Sequence, residues 1–222
     1  MTDFIRKRWP KIVVAVIFVV LAGTFLWKSN IKEGQLEWGS VEGLNLTDQQ
    51  KQQYEETVKK LEDSNGDKKN PTALSDLARL RDQGGDPEGS IKIYQKALAE
   101  EPDNTLVLYN LADVYYSIGD YGKTEEMYRR IINNHPLEMP VYRRLFDLYR
   151  DKIKTKYPSV LEILLRGWQY NSDRPAEFIK MLALYYSDMG DIETAKQYYQ
   201  QLLIIEPNNQ DARDQLKRLG GK

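Results

Sequence analysis

Few side chains in this chain of 222 residues could support catalysis. There is one histidine, His135, and no cysteine, so a thiol nucleophile is absent from the sequence. No His-Glu-x-x-His motif or paired metal-ligand spacing appears, and Gly84-Gly85-Asp86-Pro87 is accounted for by a turn between two helices. His135 directly precedes Pro136, which indicates a helix C-terminus whose negative dipole end the imidazole meets. We therefore predict no catalytic residue, no metal, no cofactor and no small-molecule substrate.

The distribution of charge argues against nucleic acid as a partner. The net charge is −1, but residues 1–27 contribute +3, so the remainder of the chain carries −4. Binding to a phosphate backbone requires a basic stripe, which a mildly acidic domain lacks. We expect no nucleic-acid partner.

Three segments of the chain repeat the same apolar pattern. They begin at Leu74, Leu108 and Ile179, and each contains Leu-Ala at the fourth and fifth positions. A Gly-Asp pair and then a proline follow each one: Gly85-Asp86 with Pro102, Gly119-Asp120 with Pro136, and Gly190-Asp191 with Pro207. The prolines are 34 and then 71 residues apart, so a degenerate fourth copy fits in between, beginning at Tyr142. A period of this length indicates stacked helical hairpins.

Each copy has the features of two helices joined by a tight turn. In the second copy Leu108, Leu111, Ala112 and Tyr115 recur three and four residues apart, the spacing of one helical face. The glycine of the Gly-Asp pair suits a helix stop, and the aspartate suits the next N-terminus. The alanines at Ala78, Ala112, Ala183 and Ala195 predict close approach of the two helix axes, and the many tyrosines are expected in the core.

Two copies depart from the pattern. The first has Arg81 where its siblings have Tyr115 and Tyr186. The third has Phe146 in place of the alanine, lacks the Gly-Asp turn and contains about three extra residues around 152–158. We expect this insertion to lengthen the turn or displace the helix that follows.

The pattern across residues 71–207 resembles the tetratricopeptide repeat (TPR) family. The resemblance implies an all-α solenoid of antiparallel helix pairs, with four repeats at 71–104, 105–138, 139–175 and 176–209. In that family the first helix of each pair lines a concave surface that binds a protein or peptide. The residues placed on that surface by the resemblance are Arg79, Tyr109, Asn110, Asp113, Tyr116, Arg143, Arg144, Asp147 and Lys180.

Some TPR domains grip the C-terminal carboxylate of a chaperone with five Lys, Asn and Arg side chains. Asn110 and Arg144 fall on matching positions, but Ser75, Arg79 and Pro140 replace the other three. Chaperone-tail binding is therefore not the leading hypothesis. An extended or acidic peptide on Asn110, Arg144 and Arg79 remains open.

Helices at both ends are expected to cap the stack. Thr47-x-x-Gln50 matches a capping box and opens a helix that carries Tyr54, Val58 and Leu61, within an N-terminal capping segment at 47–70. Residues 208–222 are predicted to form an amphipathic C-terminal capping helix with Ala212, Leu216 and Leu219 on its apolar side. Residues 28–46 have no periodicity and contain three glycines, which predicts a flexible linker.

The N-terminus contains a candidate membrane anchor. Residues 12–27 are 16 apolar residues without a charge, a length of about 24 Å that Trp9 and Pro10 extend to roughly 28 Å. Arg6, Lys7, Arg8 and Lys11 precede the segment, so residues 1–11 are predicted to stay in the cytoplasm and the repeats to cross the membrane. A cleaved signal peptide is the alternative, but an A-x-A-like cleavage site is missing after the apolar run.

Three functional hypotheses follow. The first is a non-catalytic, single-pass membrane scaffold whose repeats bind a protein at the outer or periplasmic face, in a setting such as envelope assembly or secretion. The second keeps the scaffold and places the repeats in the cytoplasm, as a receptor or adaptor. The third, an enzyme or enzyme regulator, requires a pocket with convergent ionisable groups.

Overall fold

The computed structural model describes residues 38–63 and 70–220. This part of the chain contains ten α-helices, one 3₁₀ helix and no strand. The α-helices are α1 (Asp48–Asp63), α2 (Pro71–Gln83), α3 (Pro87–Glu100), α4 (Thr105–Ser117), α5 (Tyr121–Asn134), α6 (Met139–Asp151), α7 (Val160–Tyr170), α8 (Pro175–Asp188), α9 (Ile192–Ile205) and α10 (Gln210–Gly220); the 3₁₀ helix is Lys154–Ser159. The chain divides into two compact units, Met1–Ile93 and Tyr94–Lys222. The all-helical, TPR-like architecture is confirmed.

The Gly-Asp pairs form the turns that the sequence predicts. Gly119 and Gly190 have φ of +82°, a left-handed conformation that a residue without Cβ adopts readily. The N–H of Asp120 donates to the Tyr115 carbonyl and that of Gly119 to the Tyr116 carbonyl, which are the paired bonds of a Schellman motif. The Asp120 side chain then accepts from the N–H of Lys123 at 3.1 Å and caps α5. One dipeptide therefore ends one helix and begins the next.

In the N-terminal unit α1 packs against α2, and the segment before α1 is hydrogen-bonded to Arg81 of α2 and to Gly84 just after it. Trp38 is 3% exposed, Leu46 is buried, and the N–H of Asn45 donates to the Gly84 carbonyl at 2.9 Å. The prediction of a flexible linker at 28–46 is therefore wrong for residues 38–46, and residues 28–37 lie outside the described part. Apolar burial of Trp38 and Leu46 explains the difference, because isolated apolar residues give no periodic signal.

Arg81 holds this segment in place. Its Nη1 donates to the Trp38 carbonyl at 2.7 Å and to the Tyr54 hydroxyl at 2.8 Å, while Nε donates to Oδ2 of Asp86 at 2.7 Å. An arginine replaces the tyrosine of the other repeats here because this position must satisfy a backbone carbonyl and a carboxylate together. Arg81, the residue at which the first repeat departs from the pattern, therefore holds the segment before α1 in place.

In the C-terminal unit consecutive helices pack pairwise, from α4 with α5 through to α9 with α10. Ala112, Ala183 and Ala195 are fully buried, as predicted, and Tyr128, Tyr142, Tyr149 and Tyr199 are among the largest fully buried side chains. At the end of the chain Ala212 of α10 is buried, and Leu216 and Leu219 pack against the core around Ile179 and Leu202. The capping role expected of residues 208–222 stays a prediction, and α10 is the described helix to which it applies.

The third repeat accommodates its insertion as the 3₁₀ helix between α6 and α7. Tyr157 of this helix packs edge-on against Phe146, with ring centroids 5.8 Å apart. Lys156 reaches the buried carboxylate of Glu125 at 2.7 Å, and the Tyr149 hydroxyl donates to the same carboxylate at 2.7 Å. The insertion lengthens the turn, as expected, and the ion pair of Lys156 with the buried Glu125 carboxylate fixes it.

The candidate anchor at 12–27 and the cytoplasmic tip at 1–11 lie outside the described residues. Within the described part, no helix has the length and apolar composition needed to span a bilayer.

Candidate protein-binding face

The first helices of the second, third and fourth repeats are α4, α6 and α8, all in the C-terminal unit. Each buries one apolar side, such as Leu108, Leu111 and Ala112 in α4, and leaves polar residues uncovered on the other. We call the uncovered side chains of these three helices the first-helix face. Its members are Tyr109, Asn110, Asp113 and Tyr116 of α4, Arg143, Arg144, Asp147 and Arg150 of α6, and Glu177, Lys180 and Asp188 of α8.

Three of the predicted binding residues form one cluster. Nε of Arg144 donates to the Tyr109 hydroxyl at 3.1 Å, and its guanidinium carbon lies 5.6 Å from the centroid of the same ring. Nη1 of Arg144 lies 3.8 Å from Oδ1 of Asp113. The Tyr128 hydroxyl donates to that oxygen at 3.2 Å from the core. Burial, and then the Asp113 carboxylate, raise the pKa of Tyr128, so its hydroxyl keeps its proton and remains a donor.

Further ion pairs join each first helix to the next. Arg143 of α6 contacts Glu177 of α8 at 3.4 Å, and Arg150 contacts Asp188 at 2.7 Å. Lys180 of α8 contacts Asp211 of α10 at 3.0 Å. These partners are 31 to 38 residues apart in sequence, which is about one repeat. The basic residues of the face are therefore already paired within the chain.

Asp147 differs from its neighbours on α6. Its carboxylate makes no hydrogen bond or ion pair of 4.0 Å or less with any residue that the structure describes. Partial burial raises the pKa of Asp147, against the opposite effects of Arg143, Arg150 and Arg144.

Tyr116 lies at the end of α4 beside a second tyrosine. Its ring is edge-on to that of Tyr121, with centroids 5.5 Å apart, and Nζ of Lys152 lies 5.8 Å from both centroids. Tyr116 keeps 40% of its surface exposed. An aromatic pair that already contacts an ammonium group borders the face.

The remaining predicted residues have other surroundings. Arg79 lies on α2 in the N-terminal unit, where it pairs with Asp76 at 3.6 Å. Asn110 is half-buried on α4. His135 ends α5 at an exposed position, with Nε2 3.4 Å from the Asp103 carbonyl, in agreement with its predicted location at a helix terminus.

Sequence reasoning missed Arg150, Glu177, Asp211 and Lys152 as parts of this surface. Opposite charges about one repeat apart are the signal that could have found the first three. The 38-residue separation of Arg150 and Asp188 obscured that signal, because the insertion in the third repeat shifts the register.

The face offers groups that are suited to recognition. A depression of about 490 Å³ is lined by Arg150, Asp151, Lys154, Tyr157 and Asp188, whose charges alternate in sign. In residues 38–63 and 70–220, no group of three or more His, Asp or Glu side chains is arranged to hold a metal ion. Paired charges and tyrosines on rigid helices can hold a polypeptide by hydrogen bonds and ring contacts.

Comparison with known proteins agrees with this architecture. Residues 83–145 and residues 178–209 each match a family model described as tetratricopeptide repeat, so the chain contains TPR repeats. No curated protein sequence matches the chain.

Solved TPR structures have the same fold. A crystal structure of MamA protein is 22% identical, covering 67% of this chain and 80% of its own, with a TM-score of 0.52. YrrB, described as a TPR protein with an unusual peptide-binding site, is 17% identical and covers 75% of this chain and 82% of its own, with a TM-score of 0.54. A TPR protein from Parabacteroides merdae is 16% identical and covers 76% and 72%, with a TM-score of 0.56. At these identities the likeness establishes the fold alone.

Proposed function

We propose that this chain is a non-catalytic, membrane-tethered TPR scaffold that binds a protein partner through the first-helix face. The main support for this proposal is the cluster of Tyr109, Arg144 and Asp113. Its contacts hold a tyrosine of α4 and an arginine of α6 in fixed positions before a partner binds. Tyrosine and arginine dominate binding hot spots, and side chains that are already ordered lose little entropy when a partner docks. The peptide-binding site of YrrB, a protein of the same fold, supports a peptide as the ligand class.

Binding is tested with the full-length chain in its native cell. Tyr109→Ala together with Arg144→Ala removes the centre of the face and should reduce photo-crosslinked partner at least about ten-fold, the scale of a hot-spot loss. Tyr170→Ala with Arg166→Ala is the matched control, because it deletes the same residue types from α7, a second helix. Equal partner recovery by both double variants would place the binding surface elsewhere.

The membrane tether and its orientation are also part of the proposal. Residues 12–27 would form a single transmembrane helix, with residues 1–11 in the cytoplasm and the repeats extracytoplasmic, in a role such as envelope assembly or secretion. The four basic residues before the apolar segment support this orientation. The alternative is the opposite orientation, with the repeats in the cytoplasm as a receptor or adaptor.

A reporter fused after Lys222 separates the two orientations. Export predicts alkaline-phosphatase activity and no signal from a fluorescent protein that matures only in the cytoplasm. The reverse pattern would establish the cytoplasmic alternative. Replacing Val19 and Val20 with arginine should release the chain from the membrane fraction, because charges at the centre of the span oppose insertion.

A further inference from the structure

The packing of α7 on the second repeat shows which side of a second helix faces the next repeat. α7 packs against α6, and a Cβ added at Gly167 would lie 2.6 Å from ring carbons of Tyr142 on α6. Arg166 of α7 also donates from Nη1 to Oδ1 of Asn133 on α5 at 3.0 Å. The side of α5 that carries Asn133 therefore faces the second helix of the following repeat.

The equivalent side of α9 is open to solvent. Ile204 follows Asn133 by 71 residues, which is also the separation of Pro207 from Pro136, so it occupies the same position in its own repeat. In the part of the chain that the structure describes, α10 is the last helix, and its apolar side packs against α9. Ile204 keeps 80% of its surface exposed, more than any other large apolar side chain of the described residues.

The chemistry of this side of α9 differs from that of α5. Gln197 and Gln200 stand 71 residues after Glu126 and Arg129, so two amides replace a carboxylate and a guanidinium. No charged residue occurs between positions 197 and 205. Depletion of charge distinguishes the core of a protein interface from ordinary surface, whereas a terminal repeat that remains in water is expected to have a polar outer face.

Three leucines at this end of the C-terminal unit are only partly buried. Leu203 of α9 and Leu216 and Leu219 of α10 pack against the buried core of α8, α9 and α10, and each leaves part of its surface uncovered. We call Gln197, Gln200, Ile204 and these three leucines the terminal surface. It combines a projecting isoleucine with apolar side chains that the chain itself covers incompletely.

We propose that the terminal surface is the interface of a homodimer, in which α9 and α10 of two copies pack about a two-fold axis. In this arrangement Ile204 of each copy packs on the partly buried leucines of the other, so one patch supplies both the projecting and the receiving side chains. A glutamine amide both donates and accepts hydrogen bonds, so Gln197 and Gln200 pair with glutamines of the second copy. Two identical uncharged patches also meet without repulsion. This interface goes beyond the proposed function and does not use the first-helix face.

The size of the terminal surface predicts a dimer that dissociates on dilution. Each copy contributes two helices, as in a four-helix bundle, and α9, with 14 residues, is about 21 Å long. An interface of this length lies at the small end of the range for specific complexes. Lys217 of α10 lies 3.8 Å from Asp214 of the same helix, and such exposed pairs affect affinity little.

The test measures the mass of the full-length protein in neutral detergent by analytical ultracentrifugation over a series of protein concentrations. The wild-type chain should change from monomer to dimer as its concentration rises. Ile204→Glu places a carboxylate from each copy at the interface and should raise the dimer dissociation constant about ten-fold or more, the scale of a hot-spot loss. Leu137→Glu is the matched control and should leave that constant unchanged, because Leu137 is also apolar and 61% exposed but lies outside the terminal surface.

A second variant tests the dependence on an uncharged surface. Gln197→Glu together with Gln200→Glu keeps the side-chain length and should weaken the dimer at low salt more than at high salt, because salt screens like charges. A wild-type chain that stays monomeric, a dimer that Ile204→Glu leaves unchanged, or assembly that continues beyond the dimer overturns the two-fold interface. Circular dichroism of each variant checks that the helices remain folded.

Discussion

The Arg81 guanidinium donates a hydrogen bond to the backbone carbonyl of Trp38, 43 residues earlier in the chain. This contact joins the segment before α1 to the first repeat. Tyr54 of α1 takes part in the same contact. Its hydroxyl accepts a hydrogen bond from Arg81 and donates one to the Trp38 carbonyl at 2.8 Å. Arg81 should therefore contribute strongly to the stability of the N-terminal unit.

Arg81→Ala should lower the free energy of unfolding of the N-terminal unit by about 2–4 kcal/mol. The substitution leaves a part-buried carbonyl and the Asp86 carboxylate without their charged donor. Hydrogen exchange at the Asn45 amide, which donates to Gly84, measures the loss locally. Arg79→Ala is the matched control, since Arg79 is more exposed and pairs only loosely with Asp76, and it should change exchange little. Equal effects of both variants would contradict the role of Arg81.

The Glu125 cluster joins α5 of the second repeat to the third repeat, and it predicts a specific acid sensitivity of this connection. Burial alone would raise the pKa of Glu125, but hydrogen bonds from Lys156, Tyr149 and Arg129 hold that pKa below its usual value. Because the folded pKa lies below the unfolded value of about 4.3, this contribution is fully present above that pH. It is lost as the pH falls through the folded pKa.

Glu125→Gln should therefore destabilise the protein by about 1–3 kcal/mol at neutral pH and flatten the decline of stability in acid. Urea unfolding between pH 7 and about pH 3, followed by circular dichroism, provides the measurement. Glu126→Gln changes the adjacent, exposed glutamate and should retain the wild-type pH dependence. An identical acid profile for wild type and Glu125→Gln would show that another group controls it.

Gly167 of α7 is expected to be intolerant of any side chain. A Cβ built there would lie 2.6 Å from ring carbons of Tyr142 and 2.7 Å from the Phe178 ring. Gly167→Ala should thus destabilise by about 1–3 kcal/mol through overpacking. At Gly122 of α5 the added Cβ meets only Asp120 Oδ1 at 3.7 Å, so Gly122→Ala should stabilise by about 0.5–1 kcal/mol. Thermal unfolding of both variants checks the opposite signs.

Ala112 tests the close approach of the helices within the second repeat. The residue is fully buried, and Ala112→Trp should lower stability by about 1–3 kcal/mol or more through overpacking. Ser117→Trp places the same side chain at an exposed position of α4 and should alter the unfolding midpoint in urea only slightly. A neutral effect of Ala112→Trp would mean that the helix crossing is loose.

The sequence predicted the features that depend on local periodicity. The Gly-Asp turns and the buried alanines both follow from spacing within one helix pair. The contacts of Arg81 with Trp38, and of Arg150 with Asp188, depend on residues brought together only by the tertiary fold. The family resemblance predicts Tyr109 and Arg144 for the binding face, but their direct contact depends on how α4 and α6 lie in the fold. The segment at 38–46 was misjudged because its burial depends on a few isolated apolar residues.

Each Gly-Asp turn ends one helix and begins the next, and this limits where residues can be inserted into the chain. Where Asp120 both completes one terminus and starts the next, an added residue would disrupt two helices at once. The third repeat has no such turn, and it is the repeat that contains the additional 3₁₀ helix. Because the two flanking helices are terminated independently, residues added between α6 and the 3₁₀ helix would disturb neither of them.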